Sequence, residues 1–220
     1  MSFWYFINSG TGKGKFNMDF DNFLFDKLSK NSLLFPILRI YGWENPTISI
    51  GTNQSKDEIT PFLSDKYELV KRITGGQMVL HRPPDEEITY SICIKYGIRA
   101  KNLYFETGKI LLEFLKIYGL RGGFGHEDKQ YFKHINCFSS KTSADIVVNG
   151  VKVIGSAQCR KKEYILQHGS IMLDKVSEFA GTNITFNDAA YNLKKVFQDK
   201  LKITFLDYIS SEEHMKSIPA

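Results

Sequence analysis

The dipeptide Asn149-Gly150 stands between two β-branched runs, Ala144-Asp145-Ile146-Val147-Val148 and Val151-Lys152-Val153-Ile154, and constrains the fold more than any other local feature. Both central residues of such a two-residue hairpin need positive φ, which Asn and Gly tolerate and β-branched residues do not. Two antiparallel strands therefore meet there. Elsewhere Phe16, Phe20, Phe23, Leu24 and Leu28 recur at helical spacing and predict a helix ending near Lys30. Segments 34–41 and 47–51 read as short strands around the Trp43-Glu44-Asn45-Pro46 turn. In 87–95, Ile88, Tyr90, Ile92 and Ile94 alternate with Thr89, Ser91 and Cys93, the pattern of a half-buried strand. Strand is also predicted near 1–8, 69–70, 78–81 and 164–173, and helix over 103–118 and 189–201. Strands outnumber helices and run mostly as hairpins, so the class is α+β with a mixed or antiparallel sheet.

A chain of 220 residues with 42% hydrophobic and 14% aromatic residues can bury a real core, and one domain over 1–220 is the expectation. No apolar run is long enough for a membrane helix, and 1–8 is too short and lacks the basic leader of a signal sequence. A cytoplasmic protein is expected. The three cysteines, Cys93, Cys137 and Cys159, are odd in number and widely spaced. They suggest neither a disulfide framework nor a metal site. The net charge of +5 is spread along the chain rather than gathered into a polybasic patch, which points away from nucleic acid and toward acidic protein partners.

Three segments could carry chemistry. If 151–158 keeps a strict period of two, Lys152, Ile154, Ser156 and Gln158 share one face, and Val151, Val153, Gly155 and Ala157 share the other. The small and apolar set suits a core, so Lys152 and Ser156 are expected to look outward or into a cleft, beside the polar Gln167-His168-Gly169-Ser170 of the next strand. Thr74-Gly75-Gly76 follows Lys71-Arg72, and such a turn can present backbone N–H groups to a ligand while Arg72 supplies charge. The Gly10, Gly12, Gly14 series fits neither a P-loop nor a dinucleotide fingerprint and is expected to be a loop. Cys137 stands in a polar stretch with Lys133 and His134 nearby, neighbours that favour a thiolate when they are close in space. Cys159, beside Arg160, Lys161 and Lys162, competes for that role, whereas Cys93 sits in a strand pattern and reads as packing.

Taken together and in order, several segments resemble the lipoate and octanoate protein transferase and ligase family, which shares its fold with biotin protein ligases. They are Asn17-Met18-Asp19; Leu38-Arg39-Ile40-Tyr41 with Trp43 and Pro46 to Gly51; Lys71-Arg72-Ile73-Thr74-Gly75-Gly76 through His81; Thr89-Tyr90-Ser91; and Gly150-Val151-Lys152 through Gln158, followed by Gln167 to Ile171. The resemblance implies a central mixed β-sheet flanked by helices, with an acyl chain in an apolar tunnel. It implies that Lys152 bonds the acyl carbonyl region. Arg72, Thr74, Gly75, Gly76, His81, Gly155, Ser156, Ala157, His168 and Gly169 are then expected around the substrate. Asn136-Cys137-Phe138 resembles the nucleophile segment of the cysteine-dependent octanoyltransferase branch that acts on the glycine cleavage H protein.

That branch implies an octanoyl group taken from acyl carrier protein onto Cys137 as a thioester and passed to a lysine of a lipoyl domain or H protein, without a cofactor. Two alternatives within the resemblance are an ATP-dependent lipoate ligase lacking its accessory domain and an amidotransferase that moves octanoyl from H protein to E2 subunits. Against the ligase, Arg82-Pro83-Pro84-Asp85 stands where ligases carry a nucleotide-binding segment, and no length remains for an accessory C-terminal domain.

Overall fold

In the computed structural model, residues 2–59, 64–96, 100–125 and 144–208 are described. An eight-stranded mixed sheet runs in the order β11 (Ile203–Asp207), β1 (Ser2–Gly12), β2 (Ile37–Trp43), β6 (Glu87–Lys95), β10 (Tyr164–Met172), β9 (Val151–Lys161), β8 (Ile146–Val148), β7 (Gly122–Phe124). The β11–β1 and β1–β2 pairs are parallel and the rest antiparallel. A second, three-stranded sheet orders β4 (Glu68–Lys71), β3 (Thr47–Ile50) and β5 (Val79–His81).

Helices close both faces of the large sheet. On one face α3 (Ala100–Ile117), α4 (Leu173–Ala180) and α5 (Phe186–Leu201) pack Phe114, Val176 and Phe197 against Leu38, Ile40, Tyr90 and Ile154. On the other, α1 (Gly14–Ser29) lays Phe20, Leu24, Phe25 and Leu28 over Ile37, Cys93 and Leu166. The small sheet joins this second face, where Val70 meets Met18, Tyr41 and Trp43. Between β3 and β4 lies the short helix α2 (Lys56–Ile59).

The Asn149-Gly150 hairpin forms as its sequence dictates, with φ of 48° and 78° at the two turn residues. Segment 87–95 departs from expectation: β6 is buried on both sides from Glu87 to Cys93, because helices cover both faces of a central strand. The glycine series is not a loop. Strand β1 continues to Gly12 and α1 starts at Gly14. Glu68 of β4 accepts from the N–H groups of Gly14 and Lys15, both at 2.7 Å, satisfying donors that no side chain of α1 reaches. A Cβ on Gly14 would lie 2.5 Å from Thr47, so the small sheet can dock onto α1 only here without a side chain.

Candidate active site

The face of the large sheet under α1 and the small sheet carries a cleft of about 560 Å³ counting its open mouth. Its floor crosses four strands: Tyr41 and Trp43 from β2, Thr89 from β6, His168 to Ser170 from β10, and Gly155 to Ala157 from β9. Met18 of α1 and Ser49, Arg72, Gly76, Val79 and His81 complete the walls, and Asp145 stands at the β8–β9 end.

Most of the polar groups around this cavity are bonded to one another rather than aimed into it. The Arg72 guanidinium donates to the Ser49, Gly75 and Gln77 carbonyls at 2.7–2.9 Å, holding the Thr74–Gln77 turn in place. His81 stacks on Trp43 with ring centroids 3.6 Å apart and shares 2.7 Å hydrogen bonds with Glu87 through Nδ1 and Ser49 through Nε2. Burial pushes its pKa down, outweighing the opposing pull of the Glu87 carboxylate, so the ring is neutral at pH 7. With Glu87 accepting at Nδ1–H, Nε2 accepts the Ser49 hydroxyl proton. The Trp43 indole donates to Thr89 at 2.9 Å. Among the described residues Ser91 Oγ is the one buried polar side-chain atom without a hydrogen-bond partner. A cavity whose polar walls are satisfied internally offers mostly carbon to a ligand.

A second network lies under α1. Arg39, fully buried, pairs with Asp21 at 2.8 Å, donates to the Asn17 carbonyl and side chain and to Ser9, and packs its guanidinium 4.0 Å from the Tyr41 ring. Asp21 also accepts from Tyr41 at 2.9 Å and bonds His168 Nδ1 at 3.2 Å, while His168 Nε2 meets Thr74 Oγ1 at 2.7 Å. Burial pushes the Asp21 carboxyl up, but the Arg39 charge and His168 more than reverse it, so its pKa lies below the ordinary value. This network pins the Thr74 turn to β10.

Lys152 corrects the period-two reading. The β8–β9 register slips between Ile146 and Val147, which oppose Ile154 and Lys152, so Val153 is an extra residue on β9. Val153 and Ile154 then both enter the core beneath α3, α4 and α5. Alternation is reversed beyond the bulge, and Lys152 falls on the face of Gly155 and Ala157 rather than of Ser156 and Gln158. Its ammonium is buried, 3.0 Å from Asp145 of the cavity wall. Gly155 and Ala157, placed in the core by the period of two but around the substrate by the resemblance, line the cavity. Ser156 contributes to the wall, yet its hydroxyl is 2.7 Å from Tyr90 in the helix-side core. Burial pushes the Tyr90 phenol up to about 12, so it stays protonated.

Of the other expected residues, Arg72, Gly76, His81, His168 and Gly169 line the cavity, and Thr74 and Gly75 support it through His168 and Arg72. Gly169 is required: a Cβ there would come within 2.7 Å of the Gly155 carbonyl, Ser156 Oγ and Tyr90. Cys137, with Lys133 and His134, lies outside the described residues. The described residues flanking 126–143 are joined by a 2.8 Å bond from Gly125 N–H to the Asp145 carbonyl, beside Lys152. Cys159 does not have a lowered pKa: burial raises its thiol to about 11, and it packs against the cluster under α1. Met18, Tyr41, Trp43, Ser49, Thr89 and Asp145 had no predicted contact role.

The fold and cavity are those of an enzyme catalytic domain, and residues 13–206 match the model of the lipoyl protein ligase A/B catalytic domain. The chain belongs to that family. It is 33% identical over 215 residues to octanoyltransferase LipM of Kyrpidia tusciae, covering 90% of this chain and 77% of that one. Against octanoyltransferase LipM of Bacillus subtilis it is 37% identical over 186 residues, covering 78% and 66%. The matched chain thus spans about two thirds to three quarters of these relatives' length. Its fold matches protein Ta0514, a lipoate protein ligase candidate from T. acidophilum, with a TM-score of 0.78 at 18% identity, over 98% and 92% of the two chains. Among the described residues no helix is long and apolar enough to cross a membrane.

Proposed function

We propose that this protein is an octanoyltransferase of protein lipoylation, acting in the cytoplasm as a single catalytic unit that takes octanoyl from acyl carrier protein and passes it to a lysine of a lipoyl domain or H protein. The observation that carries the reading is the cavity: apolar in effect, floored by four strands, and bordered by Asp145 of the buried Lys152–Asp145 pair. The LipM relatives support the same activity.

In this reading the Cys137 thiolate attacks the donor thioester, the C–S bond to the carrier breaks, and the carrier leaves as a thiol after taking up a proton. The acceptor amine then attacks the Cys137 thioester, forming the amide and releasing the thiol. Exchange of one thioester for another is nearly isoenergetic, so no cofactor is required. Lys152 stabilises the oxyanion in both steps by charge-assisted donation in a dry site. The net charge of +5 favours acidic carrier and lipoyl domains.

The test is transfer from octanoyl-acyl carrier protein to a purified lipoyl domain and to H protein, read by mass in the absence of nucleotide. ATP-independent modification of the acceptor lysine is the expected result. Modification that requires free acid and ATP would make the protein a ligase, and use of octanoyl-H protein as the sole donor would make it an amidotransferase.

A further inference from the structure

The floor of the cavity is a ruler. Lys152 lies on β9 and the aromatic pair Tyr41 and Trp43 on β2, with β10 and β6 between them. Three inter-strand steps of ~4.8 Å separate the backbones of these two ends by about 14 Å across the sheet. An extended octanoyl chain has seven C–C bonds of ~1.5 Å, which zigzag to about 9 Å. With its carbonyl toward Lys152, such a chain brings its terminal methyl toward the β2 side of the floor.

The far wall is unequal in stiffness. Tyr41 is held by its hydroxyl on Asp21 and by Arg39 against its ring, and Trp43 by its N–H on Thr89 and by His81 stacked on its face. Neither ring can move without breaking a buried hydrogen bond. Met18, packed with both rings and also lining the cavity, is held by packing alone through an unbranched thioether side chain.

Resting on the octanoyl-transfer reading, we propose that Met18 sets the acyl-chain length the enzyme accepts, closing the tunnel against the fixed Tyr41–Trp43 wall so that eight carbons fill it. Truncating Met18 to Ala opens space for about two further methylenes, and enlarging it to Phe removes about one.

The experiment has two readouts. Binding of fatty acids of graded length is followed through tryptophan fluorescence, since Trp43 lines the cavity and Trp4, the other tryptophan, lies in the helix-side core. Transfer from carrier protein loaded with the same acyl groups is followed by mass. Met18→Ala should raise preference for ten-carbon over eight-carbon chains by about 10-fold, and Met18→Phe should move the optimum below eight carbons. Met18→Leu should keep the eight-carbon optimum. Opposite shifts exclude a general loss of stability, and if the Phe variant does not fold, the Ala and Leu pair decides. An unmoved length profile in the Ala variant overturns the ruler. A length-dependent binding optimum that moves with Met18 but no transfer of any acyl group keeps the ruler and overturns the transferase reading.

Discussion

Two buried ion pairs face the same side of the large sheet and differ in kind. Arg39–Asp21 lies under α1, surrounded by Ser9, Asn17, Tyr41 and His168, and neither member lines the cavity. Lys152–Asp145 borders the cavity, with Asp145 in its wall. The hydrogen bonds around Arg39–Asp21 hold α1, β2 and β10 in register, whereas a cation beside a cavity wall can lend its charge to a reacting carbonyl. In the proposed reading one buried cation serves architecture and the other chemistry.

That contrast breaks cleanly if mutated. Lys152→Ala should lower transfer by about 10²–10³-fold, measured as single-turnover acyl transfer under conditions where circular dichroism shows the variant folded, and should also lose stability because Asp145 is left buried without its cation. Arg39→Met should instead cost about 3–5 kcal/mol in urea unfolding, because Asp21 is left buried without its cation. Should Arg39→Met lose activity without losing stability, the assignment of roles is reversed.

Smaller effects sharpen it. Gly169→Ala should cost about 1–3 kcal/mol and weaken acyl binding, since its methyl meets Gly155, Ser156 and Tyr90. The pH dependence separates two histidine-linked sites by the pH window in which stability is lost, the sign being the same because both pKa values are depressed. The folded pKa of His81 is depressed, so the unfolded chain binds more protons just below its ordinary value near 6.5, and stability falls as pH drops through that range. Thermal midpoints of His81→Gln should show a shallower loss there. The depressed Asp21 pKa contributes stability that is full above its ordinary value of 3.8 and lost as pH falls toward the folded value. Asp21→Asn should flatten that acid limb and leave the one near 6.5 unchanged.

How much of this could be read in advance depends on the range of the interaction. The hairpin at Asn149-Gly150, the helix on Phe16–Leu28 spacing and the helix after residue 100 are set by local rules, and they form. Strand β11 and helix α4 were not predicted, because short segments owe their state to parallel pairing with β1 and to burial of Leu173 and Val176. Lys152 was expected to look outward or into a cleft, and it does pair with Asp145 of the cavity wall, but the residues sharing its face were misassigned, since one residue of bulge at Val153 inverts every side chain beyond it and leaves no mark in a single sequence. The Arg39–Asp21–His168 network spans up to 147 positions and was missed. Its signal was present: Arg39 is a lone charge inside the apolar Ile37–Trp43, and Asp21 lies among Met18, Phe20, Leu24 and Phe25 on the buried face of α1. A charge in an apolar stripe calls for a buried partner.

The central claim is that an acyl group is held covalently at the Lys152 end of this cavity. Peptide mapping of the protein after incubation with octanoyl-acyl carrier protein tests it most directly. The account predicts a hydroxylamine-labile octanoyl group on Cys137 that forms far more slowly in Lys152→Ala. An adduct on Cys93 or Cys159, or one that persists at full rate in Cys137→Ala, would contradict it.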